Sequence, residues 1–180
     1  MLDDIPVPEA PLERADQGLV PEGEGWFIVN VTDAQASHSD RFGDGCRFEG
    51  EQSPFAEFGI NVRVLQPGQP NGLYHRENAQ EAFLVLSGEC IAIVEGEERP
   101  MRAGDLLHAP ARTAHILVGA GNGPCAVLMV GKRNGDEELL YPVSEVAARH
   151  GASAVQTTSD PRVAYAGSPA RVPTMLSLPW

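Results

Sequence analysis

Between Phe58 and Val130 the sequence breaks into short β-prone runs separated by turn residues, with no stretch between them long enough for a packed helix. Phe58, Ile60, Val62 and Val64 alternate with Gly59, Asn61 and Arg63, the period-two signature of a strand with one buried face. Gln66-Pro67-Gly68 ends that run, because proline cannot donate to a ladder and glycine permits a turn. Ala82–Leu86, Ile91–Val94, Arg99–Met101, Leu106–Ala109, His115–Val118 and Ala126–Val130 follow, divided by turns such as Ser87-Gly88-Glu89 and Ala103-Gly104-Asp105. Punctuation this regular predicts an all-β sandwich or barrel rather than alternating β and α units. Phe83, Leu84, Val85, Ile91, Ile93, Leu106, Val127 and Met129 are its expected core.

The flanks differ. Residues 1–25 hold seven acids, one Arg and four Pro, too little apolar surface to order alone, and read as an N-terminal arm. The barrel is expected over residues 26–135, opening with a strand at Trp26–Val31 and a loop at Thr32–Gly45. In residues 136–180, Ser144–His150 reads as one short helix with Ser144 as N-cap and Gly151 as its stop. The rest is a Pro-containing tail, expected on the barrel surface or across a neighbouring subunit.

A length of 180 residues suits one domain. The formal charge of −12 opposes binding to nucleic acid or to an anionic membrane surface. Cys46, Cys90 and Cys125 are odd in number and lack a C-x-x-C pair, which fits a reducing compartment. The acidic N-terminus is unlike a secretory leader and no apolar run approaches a membrane span, so the expected location is cytoplasmic.

His75, Glu77, Glu81 and His115 carry the chemistry. Were residues 75–81 extended, side chains 75, 77 and 81 would share one face, and a neighbouring strand would bring His115 to the same point. Imidazole nitrogen with carboxylate oxygen suits one divalent Fe, Mn, Zn or Ni ion and leaves positions open for water or substrate. His108, in the apolar run LLHAP, is the candidate acid–base residue lining the cavity, against the alternative of a buried histidine bonded to a carbonyl. His38 and His150 read as core or surface residues.

Two segments carry a family resemblance. Gly68–Gly88, GQPNGLYHRENAQEAFLVLSG, resembles the first cupin motif, and Glu81 and Gly88 keep its closing six-residue spacing. Gly104–Gly119, GDLLHAPARTAHILVG, resembles the second, with Gly104, Pro110 and His115 matching in identity and spacing. The resemblance implies a jelly-roll barrel of the cupin type with His75, Glu81 and His115 as metal ligands. Three residues depart from it: Glu77 stands where a second His is usual, Arg112 replaces a Gly, and Gly119 replaces Asn. Glu77 is then either a substituted ligand, giving two His and two Glu, or a lost one, leaving two His and one carboxylate.

Cupin folds host oxygenases, isomerases, decarboxylases and non-catalytic binders, so fold alone selects no reaction. The expected function is a metalloenzyme, oxygenase- or isomerase-like, acting on a small oxygen-rich organic molecule. The alternative is a non-catalytic ligand-binding or regulatory cupin with a structural metal. The two terminal segments suggest a homodimer in which they pack across neighbouring barrels.

Overall fold

Alternating side chains need two apolar surfaces to close against, and the chain supplies them as two antiparallel sheets. The computed structural model of the protein describes residues 6–50, 53–133, 135–136 and 138–180, so the first five residues of the expected arm lie outside the described residues. In chain order the strands are β1 (Leu12–Ala15), β2 (Gly18–Pro21), β3 (Ala36–His38), β4 (Asp44–Arg47), β5 (Phe58–Leu65), β6 (Arg76–Glu77) and β7 (Glu81–Ser87). They continue with β8 (Glu89–Val94), β9 (Glu97–Arg102), β10 (Leu106–Ala109), β11 (His115–Ala120), β12 (Cys125–Lys132), β13 (Leu139–Leu140) and β14 (Val172–Thr174). Two one-turn helices, α1 (Glu145–Ala148) and α2 (Pro161–Ala164), lie between β13 and β14.

The large sheet runs β10-β7-β12-β5-β4-β3-β14 and the small one β11-β8-β9, with β6 and β13 as a separate pair. Bridges from Pro70 to Val118 and from His75 to His115 lay residues 70–75 along the free edge of β11. The result is an all-β jelly-roll barrel, as the strand pattern predicts.

Opposed residues in an antiparallel pair share a face, so register identifies the barrel interior. On the large sheet the interior rows are Glu81–Gly131–Gly59, Phe83–Met129–Asn61–Arg47 and Val85–Val127–Arg63–Gly45–Ser37. Phe83, Val85, Val127, Leu65, Leu117, Cys90 and Cys125 fill the interior between the sheets. The opposite face of the large sheet buries Val62, Val64 and Ala126 under Ala34, Ala36 and Leu176. The outer face of the small sheet buries Ile93, Ile116, Val118 and Tyr74 under Ala147 of α1 and Ala152. The three cysteines are free and buried, small apolar fillers of these layers.

Several expectations need correction. Trp26–Val31 is not a strand, since only Trp26 bridges, to Glu9. Asn30 turns the chain instead: its Oδ1 accepts from the Thr32 backbone and hydroxyl, and its carbonyl accepts from Asp33 and Ala34. The stretch expected to be a loop up to Gly45 contains β3 and the start of β4. The arm is a hairpin, β1 with β2, docked through the Leu19–Ala34 bridge with Ala10 and Pro21 buried. The tail packs on its own barrel, with β14 paired to β3 and Leu176 under the sheet. Leu106 is 64% exposed, while Leu107 takes the inward position.

The expected short helix is present as α1, where the Ser144 hydroxyl accepts from the Ala147 N–H and Gly151 follows at φ +65°. Helix α2 was not anticipated, although Asp160 as N-cap and Pro161 at its first position are ordinary start signals.

Of the two loop departures from the motif, the one at Gly119 has a local cause. A Cβ on Gly119 would stand 2.3 Å from the Gln66 carbonyl oxygen, so no asparagine fits there. Arg112 keeps the glycine-like backbone of the motif, at φ +72°, although it carries a side chain. Its guanidinium lies 3.9 Å from the Glu138 carboxylate, a contact between exposed groups that contributes little. Arg112→Gly is therefore expected to raise stability by up to about 1 kcal/mol, read as a higher urea midpoint at unchanged slope.

Candidate metal centre

His75 and His115 are opposed across two adjacent extended segments and exchange both backbone hydrogen bonds, His115 N–H to His75 carbonyl at 2.8 Å and the reverse at 3.2 Å. Paired residues of this kind project to the same face, and the ring centroids are 5.0 Å apart. Glu81 opens β7 in the opposing sheet. Its Oε2 lies 2.9 Å from His115 Nε2 and 3.6 Å from His75 Nε2. One ligand atom from each of the three residues falls within 4.8 Å of the other two.

The tautomers are fixed by the backbone. His75 Nδ1 is 2.9 Å from the Leu73 carbonyl and His115 Nδ1 is 2.9 Å from the Thr113 carbonyl. A carbonyl only accepts, so each Nδ1 carries the proton and each neutral ring turns an Nε2 lone pair toward Glu81. Carbonyl contacts of this type orient histidines that bind metals.

Glu81 Oε2 and His115 Nε2 are both buried without an aligned hydrogen-bond partner, despite their short separation. A carboxylate oxygen facing an imidazole lone pair requires a cation or a proton between them. The residues therefore fit a divalent metal. Burial opposes a charge on His75, but Glu81, the Leu73 carbonyl and Glu77 together raise its pKa. Burial likewise raises Glu81, and the His115 and His75 side chains outweigh it to bring that carboxyl down to about 2.

Phe83 packs edge-on against His115 at 5.0 Å, and Tyr141 lies 5.9 Å from the His75 ring. Side-chain exposure is 2% for His115 but 14% for Glu81 and 21% for His75, so the cluster opens on the side of the latter two. A cleft of about 550 Å³ beside Glu81 is lined by Phe58, Gln80, Ala82, Val130 and Lys132, residues that alternate with the interior rows, and neither histidine borders it. Tyr141 carries no motif signal, since it reaches the site from a distant segment through tertiary packing.

Two expected site residues fall elsewhere. Glu77 is not in the ligand cluster, because the chain bends at Asn78–Ala79 and breaks the parity linking residue 77 to residue 81. It borders a neighbouring cleft of about 420 Å³ with Arg76, Arg112 and Glu138. His108 does not line the cavity: on edge strand β10 it is exposed, and its neighbours Leu107 and Ala109 point inward. Strand alternation leaves it no route to the interior.

His75→Ala, Glu81→Ala and His115→Ala are each expected to weaken divalent-metal affinity by more than about 100-fold, whereas Glu77→Ala changes it by less than about tenfold. Titration calorimetry with elemental analysis reads both. Proton competition for the His75 Nε2, whose pKa is raised, predicts a further loss of affinity as pH falls, beginning above the ordinary imidazole range.

Residues 61–131 match the family model of the Cupin domain. No curated protein matches the chain. Among solved structures, a sugar phosphate isomerase from a cupin superfamily of Silicibacter pomeroyi DSS-3 is 23% identical, with a TM-score of 0.51, over 78% of this chain and 82% of that one. The polyketide cyclase RemF from Streptomyces resistomycificus is 16% identical, with a TM-score of 0.53, over 62% and 83%. A protein from Acidithiobacillus ferrooxidans ATCC 23270 is 27% identical over 47% of this chain, which spans 55% of that protein's length, at a TM-score of 0.45. Names for an isomerase and a cyclase on related barrels show that the architecture is shared and the reaction is not. Both motifs, the two-sheet barrel and the family match identify residues 61–131, at the centre of this chain, as a Cupin domain.

Proposed function

We propose that this cupin is a metalloenzyme of oxygenase or isomerase type, holding one divalent transition metal on His75, Glu81 and His115 and acting on a small oxygen-rich organic molecule. The observation that carries the reading is the buried, unpartnered pair of Glu81 Oε2 and His115 Nε2, with His75 Nε2 beside them. Two imidazoles and one carboxylate leave coordination positions for a substrate chelating through two oxygens. When bound, such a metal supplies Lewis-acid polarisation of a carbonyl or enediol oxygen and, if redox-active, one-electron chemistry.

The chain's own residues then have separable tasks. The Leu73 and Thr113 carbonyls hold the two imidazoles in the ligating tautomer. Phe83 and Tyr141 wall the histidines off from water. Tyr141 is itself kept protonated, because burial, then Tyr165 and Glu77, raise its pKa. It presents a neutral face to His75 at physiological pH. Glu81 supplies the one negative charge of the cluster, and the partial exposure of Glu81 and His75 leaves that side open to a small molecule.

Protein loaded separately with Fe, Mn, Zn and Ni, and assayed under air against catechols, β-diketones, flavonols and sugar phosphates, is expected to turn over one of these classes. Activity and bound metal should disappear together in His75→Ala and His115→Ala, while His108→Ala stays within about twofold of the parent. Ligand binding without turnover under every metal would make this barrel a binding protein instead.

A further inference from the structure

The concave face of the large sheet carries a second polar site, on β5, two strands from the strand β7 that holds Glu81. Arg63 on β5 and Arg171 in the tail both line two adjoining clefts, of about 530 and 360 Å³. Arg47 and Arg133 border the larger one, so the chain's net charge of −12 is locally reversed there. The nearby acids are already engaged: Glu49 pairs with Arg133 at 2.7 Å, and Asp44 binds His38 at 2.6 Å.

Among the described residues neither Arg63 nor Arg171 has a carboxylate within ion-pair distance. Arg171 reaches only the Ser37, Gly43 and Phe42 carbonyls and the Ser37 hydroxyl, at 3.2–3.4 Å. Arg63 Nε is buried with no partner at all, and so is Asn61 Oδ1 on the same face.

Space for Arg63 is built into the fold. A Cβ on Gly45, the residue opposite on β4, would stand 2.5 Å from Arg63 Nη1 and 2.9 Å from its Cζ, so the guanidinium lies across that glycine. Burial, then Arg171, lowers the Arg63 pKa to about 10, which leaves it a cation at neutral pH. An unpaired buried cation is costly to keep, and a ligand that neutralises it recovers that cost.

We propose that Arg63 and Arg171, with Asn61 beside them, form a binding site for the phosphate group of a small molecule. Two guanidiniums each offer paired N–H donors to separate oxygens of a doubly charged tetrahedral anion. Inorganic hydrogen phosphate, also doubly charged, keeps one P–O–H that donates to the orphaned Asn61 Oδ1.

The test uses the full chain after chelator treatment, which keeps the question apart from the metal cluster, and inorganic phosphate as the probe. Calorimetry and thermal shift are run at constant ionic strength against sodium chloride. Saturable phosphate binding is expected, weakened by about tenfold or more in Arg63→Gln and in Arg171→Gln. Gly45→Ala should weaken it too without changing charge, and Arg99→Gln, on exposed β9, should not. Chloride matching phosphate, or both arginine variants binding as the parent does, would overturn the site. Should Arg63→Gln fail to fold, Arg171→Gln, on the partly exposed tail, decides alone.

Discussion

The reciprocal backbone hydrogen bonds between His75 and His115 are the constraint from which the site follows. They join the segment after the Pro67–Gly68 turn to β11 and place two side chains opposite each other on one face. The carbonyls two residues upstream of each histidine then fix which nitrogen is bare. Sequence-local contacts thus set both rings before any ligand is present. The third group, Glu81, comes from the other sheet, so the cluster exists only when the two sheets are packed. Any ion held there binds the folded chain in preference to the unfolded one, and metal binding and barrel stability are thermodynamically linked.

The barrel interior is electrically divided. At the β7 end, one carboxylate and two imidazoles concentrate acceptor atoms. Two strands away, Arg63 faces the same interior without a counter-charge. Between them the row Phe83–Met129–Asn61 is mainly apolar. That row keeps the two ends out of ion-pair contact, and the low-polarity material between them leaves their attraction little screened. A chain with a large acidic excess has no general need of an arginine on an interior face, and burial makes one expensive, which is why Arg63 stands out against the composition.

Much of the fold was legible because strands report themselves through period two. The run from Phe58 and the runs from Ala82 to Val130 appear as β5 and β7–β12 with boundaries shifted by a few residues. His75, Glu81 and His115 were legible for a different reason, the motif spacing. What failed were inferences that assumed a regular backbone. Parity placed Glu77 beside Glu81, but the Asn78 side chain bonds the Asp136 carbonyl and the Glu138 N–H, tying the chain into a bend between them. The β-prone run Trp26–Val31 mimicked a strand, yet Asn30 closes a turn through its own side chain. His108 failed for the opposite reason: alternation was obeyed, and the inward positions were its neighbours.

The terminal segments show what composition omits. A stretch poor in apolar residues need not form its own core if it adds hydrogen bonds to an edge already present. The first hairpin and β14 both do this, closing on residues 34–38 at the rim of the large sheet. Their few apolar side chains are spent where the barrel lacks cover: Leu176 lies over Val62 and Val64, and the segment of α1 lies over Ile93 and Ile116. The same tail brings Arg171 to Ser37 and sets Tyr165 against Tyr141, which in turn packs on His75. Residues that read as surface wrapping in the sequence are therefore the ones that wall the histidine pair and complete the arginine pocket. The cupin core supplies the ligand positions, and the tail shapes the space in front of them.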